Sequence, residues 1–548
     1  MEATIRAAVE KALAVLGAEG VSFAIERPTD AVHGDYAVNA AMAAAKQLGK
    51  NPRELAETLA RALEESFGDS VKSVEVAGPG FINITLSESA VSFALSEAIA
   101  KGSEWGTGTF ENGARVMVEY SNPNAFKEMH IGHLIGSVVG EALSRLIEGQ
   151  GAVVARDTFG GDVGPHVAKA LWALKKNGVT EPASAKQIGE AYAEGSNVYE
   201  SLPEIKAEID ALNKAIYEGA DTALMDLWHR GREVSMEEFR RLWAQLGSKF
   251  DFEFFDSDTI EDGLRIVRDG LEKGIFEKSD GAIIYNGEGK GVHTMVFITS
   301  HDTPTYEAKD MGLAFLREER WPSDKVIIIT GQEQVGRFKT VLAALREMAP
   351  GVAEKTKHIA TGFLTLTTGK MSSREGSVIT AAGFIEEVMQ KASEKNPDPL
   401  IAEQVAIGAI KYMILRQSPG TDIVFDPEKS LSLEGDSGPY LQYAIVRAKS
   451  VIAKASSETS VTMPPEIPLL ARLLVHFPEV AERAAATYAP NLLTTYLTEL
   501  ASSWNSFYAN ERIIGGEYEQ YYLKLVRAFV QTMTNGLSLL GIPVPEKM

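Results

Sequence analysis

A strand, a loop, a helix and a second strand follow one another between Val116 and Arg156, and no other feature constrains the fold of this chain as strongly. Residues 116–120 and 153–156 have the β-branched, apolar character of buried strands, and 132–146 is apolar at helical spacing. A strand–helix–strand unit of this kind is typical of a parallel sheet that binds nucleotides. We therefore predict an α/β domain built on a parallel sheet, with later strand candidates at 294–298, 326–330 and 359–366.

The regions on either side have different patterns. Before the α/β region, helical patterns and two predicted strands, 71–76 and 81–86, indicate a small α+β domain. A charged helical stretch at about 180–250 looks like an insertion into the sheet, and its Glu/Lys/Ala-rich pattern over 190–217 favours solvated helices over a site. From about residue 400 onward only helical periodicity is present, so no strand is predicted there.

Composition limits the possible chemistry. The chain has 548 residues, which predicts three or four domains at roughly 100–200 residues each. It has no cysteine, which excludes disulfides, thiolate zinc sites and a cysteine nucleophile. We expect a cytoplasmic protein without a membrane segment, because neither a secretory signal nor a run of ~18 apolar residues is present. The net charge of −21 opposes a polyanionic partner, but it is concentrated in the first 435 residues.

The first motif that carries chemistry spans residues 121–133, Ser-Asn-Pro-Asn-Ala-Phe-Lys-Glu-Met-His-Ile-Gly-His. His130 and His133 lie three residues apart at the predicted start of a helix, so both imidazoles project from one face. Gly132 lets a flat ring or a phosphate approach the backbone, and the helix N-terminus offers N–H groups to phosphate oxygens. The alternatives are helix capping or a metal pair. The metal pair is disfavoured, because the sequence offers no cysteine and no obvious third ligand.

The second motif is the polar loop at 369–376, Gly-Lys-Met-Ser-Ser-Arg-Glu-Gly. Its two cations, two hydroxyls and flanking glycines suit closure over a triphosphate, with Lys370 as a point charge on the phosphates. By itself, the same loop is more typical of an ordinary surface turn. The nucleotide site is favoured only when this loop is combined with the histidine motif.

Together and in this order, the two motifs resemble the paired signatures of class I aminoacyl-tRNA synthetases, and further strings resemble arginyl-tRNA synthetases in particular. Those strings lie at 33–37, 77–83, 118–124, 433–444 and 536–548, so the resemblance runs over nearly the whole chain. It implies a Rossmann-type α/β parallel-sheet catalytic domain, an N-terminal α+β additional domain and a C-terminal all-α anticodon-binding domain. We place the additional domain at 1–108, the catalytic domain at 109–395, a helical connector at 396–435 and the anticodon-binding domain at 436–548.

The resemblance implies an arginine–tRNA ligase. Such an enzyme makes arginyl-adenylate from L-arginine and ATP, with Mg²⁺, and passes the arginine to the 3′ end of tRNA(Arg). It implies no organic cofactor, no structural zinc, no metal held by the protein and a monomer. The catalytic residues carried over are Lys127, His130, His133 and Lys370. The ATP-binding residues carried over are His130, Gly132, His133, Lys370, Met371, Ser372 and Ser373.

Two positions depart from the family pattern. The second signature ideally reads Lys-Met-Ser-Lys-Ser, but Ser373 and Arg374 occupy its last two positions here, so the usual transition-state lysine is missing. Lys127 resembles the lysine that replaces it in arginyl enzymes, and a solvated loop lysine is the alternative. Asn122 stands where the family usually has serine, which puts one polar contact to the substrate in question.

An arginine substrate brings a guanidinium and an ammonium group, so its pocket needs carboxylates and other acceptors. Tyr306 and Asp310 are four residues apart, and on a helix they would share a face. An ordinary amphipathic helix is the alternative. The resemblance implies that arginine is bound by Glu119, Asn122, Asn124, Tyr306, Asp310 and Gln332, with Gln334 as the alternative to Gln332.

For tRNA, Phe81 and Asn83 match the positions of the additional domain that meet the D-loop, and an aromatic beside an amide suits an unstacked base. Phe81 as a core residue is the alternative. The C-terminal aromatic residues are expected to be mostly core. Two other functions remain: a class I lysyl or other class I synthetase, and a paralogue that binds RNA or regulates without catalysis. The paralogue is disfavoured, because the histidine motif and Lys370 are both present.

Overall fold

A computed structural model of the chain describes residues 1–219, 221–367, 379–455 and 462–548. The chain forms two compact units. One comprises Met1–Thr107, Tyr443–Ala481 and Tyr496–Gly536, and the other comprises Gly108–Gln442, Glu482–Thr495 and Leu537–Met548. Within the described ranges, no helix has both the length and the apolar character needed to cross a bilayer.

The second unit contains the predicted parallel sheet, which confirms the α/β fold class. Its five strands, in chain order, are β1 (Arg115–Glu119), β2 (Val153–Gly160), β3 (Phe252–Phe255), β4 (Lys325–Gly331) and β5 (Thr356–Thr361). They lie in the order β5-β4-β1-β2-β3, and every neighbouring pair is parallel. From β1 the chain continues to one side through β2 and β3, and later returns to the other side through β4 and β5. The carboxyl ends of β1 and β4 therefore flank the point at which the strand order reverses, where open α/β sheets bind their ligands.

The described helices between residues 131 and 430 connect and cover the strands of this unit. They are Ile131–Gly149, Pro165–Lys176, Ala185–Ser201, Pro203–Glu218, Thr222–Gln245, Asp256–Glu272, Tyr306–Arg320, Val335–Met348, Pro350–Lys355, Ala381–Lys395, Pro399–Leu415 and Pro427–Ser430. The helix Ile131–Gly149 packs very closely on the sheet, because a Cβ on Gly140 would lie 2.2 Å from the Tyr120 ring. Glycine at this position allows the helix start to approach the end of β1.

One predicted strand belongs to a different sheet, and one sequence prediction about strands was wrong. The strand Met295–Ile298 lies outside the parallel sheet and forms an antiparallel sheet with Ala282–Tyr285 and Glu277–Ser279. A strand also occurs after residue 400, where none was predicted: Ile423–Phe425 pairs in parallel with Leu364–Leu366. Three residues are too few to show a period of two, so this strand depends on its partner and not on its own pattern.

The insertion between β2 and β3 consists of the helices Ala185–Ser201, Pro203–Glu218 and Thr222–Gln245. The stretch 190–217 was predicted to form solvated helices, but these helices contribute to an apolar cluster that packs with the helix Pro165–Lys176. Its buried members within that stretch are Ala191, Ile209 and Ile216. The charged residues that dominate the composition lie on the outer faces, so composition alone concealed the buried stripe.

In the first unit, an antiparallel sheet has the strand order Ile25–Glu26, Tyr36–Val38, Phe81–Leu86 and Val71–Ala77. The N-terminal helices are Glu2–Val15, Ala40–Leu48, Pro52–Phe67 and Glu88–Lys101. The C-terminal part of the chain is helical, as predicted, with Gly438–Ile452, Leu469–Leu474, Phe477–Ala486, Pro490–Asn510 and Glu519–Leu539. Polar contacts join the two parts of this unit. Arg472 donates to Asp35 at 2.8 Å, and the Trp105 indole donates to Thr532 at 3.0 Å.

Candidate active site

A cavity of about 520 Å³ opens at the carboxyl ends of β1 and β4. Its wall is formed by the end of β1 and the loop after it, the start of the helix Ile131–Gly149, the end of β2, Asp256 after β3, the start of the helix Tyr306–Arg320, the turn after β4 with the start of the following helix, and 361–364 at the end of β5. The cavity therefore occupies the position where the strand order reverses. It brings together residues that are up to 245 positions apart, from Glu119 to Leu364.

The loop that leaves β1 has an unusual backbone. Ser121 and Asn122 both have positive φ angles, 74° and 53°, and such angles are uncommon for residues other than glycine. The Asn122 side chain holds this turn, because its amide donates to Glu119 at 2.6 Å and its carbonyl oxygen accepts the Phe159 N–H at 2.9 Å. Asparagine tolerates the left-handed region better than most residues, so Asn122 suits this backbone.

His130 and His133 form a stacked pair at the mouth of the cavity, with ring centroids 3.6 Å apart. His130 Nδ1 accepts the Gly132 N–H at 3.1 Å, and His133 Nδ1 accepts the His130 N–H at 3.2 Å. The two rings thus cap the helix, which was the alternative interpretation. Because Nδ1 of each ring accepts, the proton of each neutral imidazole resides on Nε2, which leaves an N–H donor on each ring. Capping and donation to a ligand are therefore compatible.

The electrostatic setting favours neutral rings. Desolvation lowers the pKa of His133 well below its usual value, and the charges of His130 and Lys127 act in the same direction. The pKa of His130 is lowered by the same causes, desolvation first and Lys127 second. Lys127 itself lies with Nζ 4.5 Å from the centre of the Tyr192 ring, on the first insertion helix. Its positive charge therefore reaches both histidines while its ammonium group rests on an aromatic face.

Glu119, at the end of β1, is buried and paired. Its Oε2 accepts from Arg317 Nη2, and the same guanidinium donates to Asp157 Oδ2 at 2.9 and 2.6 Å. All three side chains are at most 3% exposed. Burial raises the pKa of Asp157 to about 6, against the lowering effect of Arg317. One arginine thus serves two buried carboxylates, and only Glu119 of this group lines the cavity.

Tyr306 and Asp310 both line the cavity from the first turn of the helix Tyr306–Arg320, so they share one face as predicted. The Tyr306 side chain is 53% exposed, whereas the Asp310 side chain is 9% exposed. Asp310 Oδ2 accepts from Arg337 Nη1 at 2.5 Å. Burial raises the pKa of Asp310 to about 7, although Arg337 acts to lower it.

The other predicted pocket residues differ in their placement. Asn124 lines the cavity. A Cβ on Gly161 would lie only 2.3 Å from Asn124 Oδ1, so the Asn124 side chain needs glycine at position 161. The Gln332 amide donates to Asp422 at 3.0 Å, whereas Gln334 lines the cavity and accepts from Arg337 Nε at 2.8 Å. Gln334, the alternative considered from the sequence, is therefore in the better position to meet a ligand.

The second motif falls outside the described residues: Lys370, Met371, Ser372 and Ser373 all lie within 368–378. Residues on both sides of that range are described and lie at the cavity. Phe363 and Leu364 line it, and Ile379 accepts the Ile131 N–H at 3.1 Å. Ala381 also donates to the Met129 carbonyl at 2.7 Å, so the chain rejoins the described structure beside the histidine turn.

Several cavity residues were not found from the sequence. Arg337 and Asp256 line the cavity, Arg317 anchors Glu119, and Lys309 donates to Asp256 at 2.9 Å. These ion pairs join elements that are distant along the chain, and single charged residues on helices carry no distinguishing pattern. In the described part of the chain, no three His, Asp or Glu side chains form a candidate metal site.

The two residues considered for tRNA lie in the other unit. Phe81 is 36% exposed at the first position of its strand, so it is not a core residue. Asn83 lies two residues on, in the same strand, between Ala37 and Glu75 of the neighbouring strands, and therefore on the same face. Among the C-terminal aromatic residues, Trp504 and Tyr522 are buried, as expected of a helical core, whereas Tyr443 and Tyr508 are only half-buried.

Comparison with protein families gives a match along most of the chain. Residues 94–427 match the family described as "tRNA synthetases class I (R), catalytic domain". Residues 1–86 match "Arginyl tRNA synthetase N terminal domain", and residues 441–548 match "DALR anticodon binding domain".

Individual proteins are similar over their whole length. An arginine–tRNA ligase of Treponema pallidum is 32% identical, with 98% of this chain and 96% of that protein covered. One of Streptococcus mutans is 31% identical, with 96% and 95% covered. The solved arginyl-tRNA synthetase of Thermus thermophilus superposes with a TM-score of 0.83 at 27% identity, covering 99% of both chains. The Plasmodium falciparum enzyme, at 20% identity and a TM-score of 0.81 over 100% and 98% of the two chains, shares the fold.

Proposed function

Because this chain belongs to the arginyl-tRNA synthetases, we propose that the cavity at the ends of β1 and β4 is the place where it activates L-arginine. The chain is an arginine–tRNA ligase that uses ATP. A carboxylate oxygen of arginine attacks the α-phosphorus of ATP, the bond from that phosphorus to the pyrophosphate oxygen breaks, and arginyl-adenylate forms. A ribose hydroxyl at the 3′ end of tRNA(Arg) then attacks the arginyl carbonyl carbon and loses its proton, and AMP leaves.

The ATP phosphates are assigned to the histidine turn. His130 and His133 present Nε2–H donors beside the N-terminus of the helix Ile131–Gly149, where Gly132 exposes the backbone. Negative charge that builds on the phosphate oxygens in the transition state would accept from these donors. No side-chain nucleophile is needed, since the substrate's own carboxylate attacks. Catalysis in this proposal consists of positioning and charge stabilisation.

The arginine side chain is assigned to the opposite wall. Asp310 offers a carboxylate to the guanidinium, and Tyr306 offers a phenol one helical turn away. Glu119, Asn122 and Asn124 are assigned to the other polar groups of the substrate. Because Asn122 already bonds Glu119 and Phe159, its contribution is chiefly to hold the loop in place. Gln332 stays a prediction, and the position of Gln334 supports the alternative.

Additional cations are needed for the triphosphate. We assign Lys127 a long-range role, because its charge already acts on both histidines. Lys370, Met371, Ser372 and Ser373 stay predictions, supported by described neighbours at the cavity on both sides of them. Mg²⁺ would be held mainly through the ATP phosphates, because Glu119 and Asp310 are paired with arginines and Asp256 is paired with Lys309. The ion would neutralise phosphate charge.

The tRNA is assigned to the other unit and to the C-terminal helices. Phe81 and Asn83 lie on one face of a strand, where an aromatic ring and an amide suit an unstacked base of the D-loop. Their role, the cytoplasmic location and the monomeric state stay predictions. We also propose, as a property of this family, that arginine activation requires bound tRNA.

The observation that carries this proposal is the joint presence of the histidine turn and Asp310 in one cavity. Asp310→Asn is expected to raise the KM for arginine at least about tenfold, because a neutral amide cannot pair with a guanidinium. Its control is Asp269→Asn, an exposed carboxylate on the helix Asp256–Glu272. An unchanged KM for arginine in Asp310→Asn would contradict the assignment of the pocket.

A further inference from the structure

Arg337 is paired with Asp310, the carboxylate that is proposed to bind the guanidinium of the substrate. Its Nη1 lies 2.5 Å from Asp310 Oδ2, and its Nε donates to Gln334 at 2.8 Å. Both Arg337 and Asp310 line the cavity. The pocket for a guanidinium therefore already contains a guanidinium, supplied by the chain itself.

The two partners are not equally buried. The Arg337 side chain is 21% exposed and the Asp310 side chain is 9% exposed. Arg337 lies near the start of the helix Val335–Met348, and because its side chain is the more exposed of the two, exchanging the partner for water costs Arg337 less than it costs Asp310. Asp310 cannot exchange its partner for water in the same way, because a carboxylate without a counter-ion is strongly disfavoured in a buried site.

The other charges around Asp310 make a counter-ion necessary. On its own helix, Glu307 and Lys309 are neighbours, and Tyr306 lies one turn away. Glu119 faces it from β1, Asp256 faces it from the helix after β3, and His358 lies on β5 near Glu119 and Arg337. Lys309 is bound to Asp256 and Arg317 is bound to Glu119 and Asp157. Among the described residues, Arg337 is thus the cation with a direct bond to Asp310.

We propose that Arg337 is a resident counter-ion of the arginine pocket, which favours the ionised form of Asp310 and orients it while the pocket is empty, and which yields it to the guanidinium of the substrate. This inference rests on the proposed function, in which Asp310 binds the substrate. In the exchange one Arg–carboxylate pair breaks and an equivalent pair forms, so Asp310 is never left without a partner. Arg337 is a positioning residue, since it acts through Asp310.

Two consequences can be measured. Arg337 competes with the substrate for Asp310. Its removal therefore strengthens arginine binding at any pH at which Asp310 is ionised even without Arg337. Arg337 also keeps the proton off Asp310, since a neighbouring arginine typically lowers the pKa of an aspartate by about 1–3 units. Without Arg337, the carboxyl is protonated at neutral pH, and arginine must displace that proton to bind.

The test compares the wild type with Arg337→Met, Arg337→Lys and the control Arg346→Gln, an exposed residue of the same helix. The KM for arginine is measured against pH by ATP–pyrophosphate exchange with tRNA present. Titration of the substrate affects the profiles of the wild type and the variants equally, so a difference between the profiles reports a titration in the enzyme. We expect the inflection of the Arg337→Met profile to move up by about one pH unit or more. Above that inflection, its KM is expected to be below the wild-type value. Arg337→Lys is expected to restore the wild-type inflection.

A second readout does not depend on activity. Calorimetric titration with L-arginine at pH 7.5, in buffers of different ionisation enthalpy, gives the protons released on binding. We expect more release from Arg337→Met than from the wild type, and the wild-type value from Arg346→Gln. A KM raised by the same factor at every pH, with unchanged proton release, would show a merely structural role and overturn the inference. If Asp310→Asn also leaves the KM unchanged, the assignment of the pocket fails; if that variant behaves as expected, only the role of Arg337 is lost.

Discussion

The imidazole rings of His130 and His133 stack with their centroids 3.6 Å apart, and each accepts a backbone N–H through Nδ1. The sequence positions alone place two histidines on one helix face; the structure adds the tautomer. With Nδ1 occupied as an acceptor, both rings present Nε2–H to the cavity without carrying a charge. This relationship connects the local helix cap to the proposed phosphate site.

His133→Ala is expected to lower kcat in ATP–pyrophosphate exchange by about 10²–10³-fold, the usual effect of removing one donor to developing charge. The KM for arginine should change much less, because His133 lies on the phosphate side of the cavity. His301→Ala, at an exposed histidine, is the matched control. A His133→Ala enzyme with kcat within twofold of the wild type would remove His133 from the mechanism.

The pH dependence of kcat tests the charge state of the histidine pair. Because desolvation and Lys127 lower both pKa values, the rings stay neutral below pH 6.5, where an ordinary histidine gains a proton. With arginine and ATP saturating, kcat should therefore remain level as the pH falls through 6.5, and decline only at lower pH. Lys127→Met removes a charge that disfavours protonation, and should move that decline to higher pH. A decline centred at 6.5 in both enzymes would contradict the lowered pKa values.

The histidine turn and the Tyr306/Asp310 face could be predicted because each depends on spacing within one helix. Arg317, Arg337 and Lys309 could not be predicted, since their partners lie on other elements: Arg317 bonds Glu119, which is 198 positions away. Four strands of the parallel sheet were predictable from their apolar character, whereas β3 (Phe252–Phe255) was not predicted. The strand Ile423–Phe425 could not be predicted, because three residues are too few to show the alternating pattern of a strand. It forms only through its pairing with Leu364–Leu366, which is distant in sequence.

The stability of the cavity wall depends on Arg317. Arg317→Met would leave Glu119 and Asp157 buried without their counter-ion, and we expect a loss of about 3–5 kcal/mol in the free energy of unfolding. Arg320→Met, at an exposed position of the same helix, should leave stability nearly unchanged. The measurement is denaturant unfolding followed by tryptophan fluorescence. Equal stability of the two variants would mean that the buried triad contributes little.

Phe81 and the cavity belong to different units, so the role of Phe81 in tRNA binding can be tested apart from arginine binding. Phe81→Ala is expected to raise the KM for tRNA in arginylation by about 5–150-fold, since base stacking on an aromatic side chain is worth about 1–3 kcal/mol. The KM for arginine should be unaffected. Phe93→Ala, at a more exposed aromatic residue of the same unit, is the control. If both variants raise the KM for tRNA equally, Phe81 has no specific role.

The most direct measurement is ATP–pyrophosphate exchange by the wild-type protein with each of the 20 amino acids, with and without tRNA(Arg). We predict exchange with arginine alone, dependent on tRNA, and abolished when Asp310→Asn and His133→Ala are combined. Exchange with lysine or another amino acid at a comparable rate would contradict the assignment of the cavity to arginine. Exchange with arginine that persists in the double variant would place the activation of arginine elsewhere in the molecule.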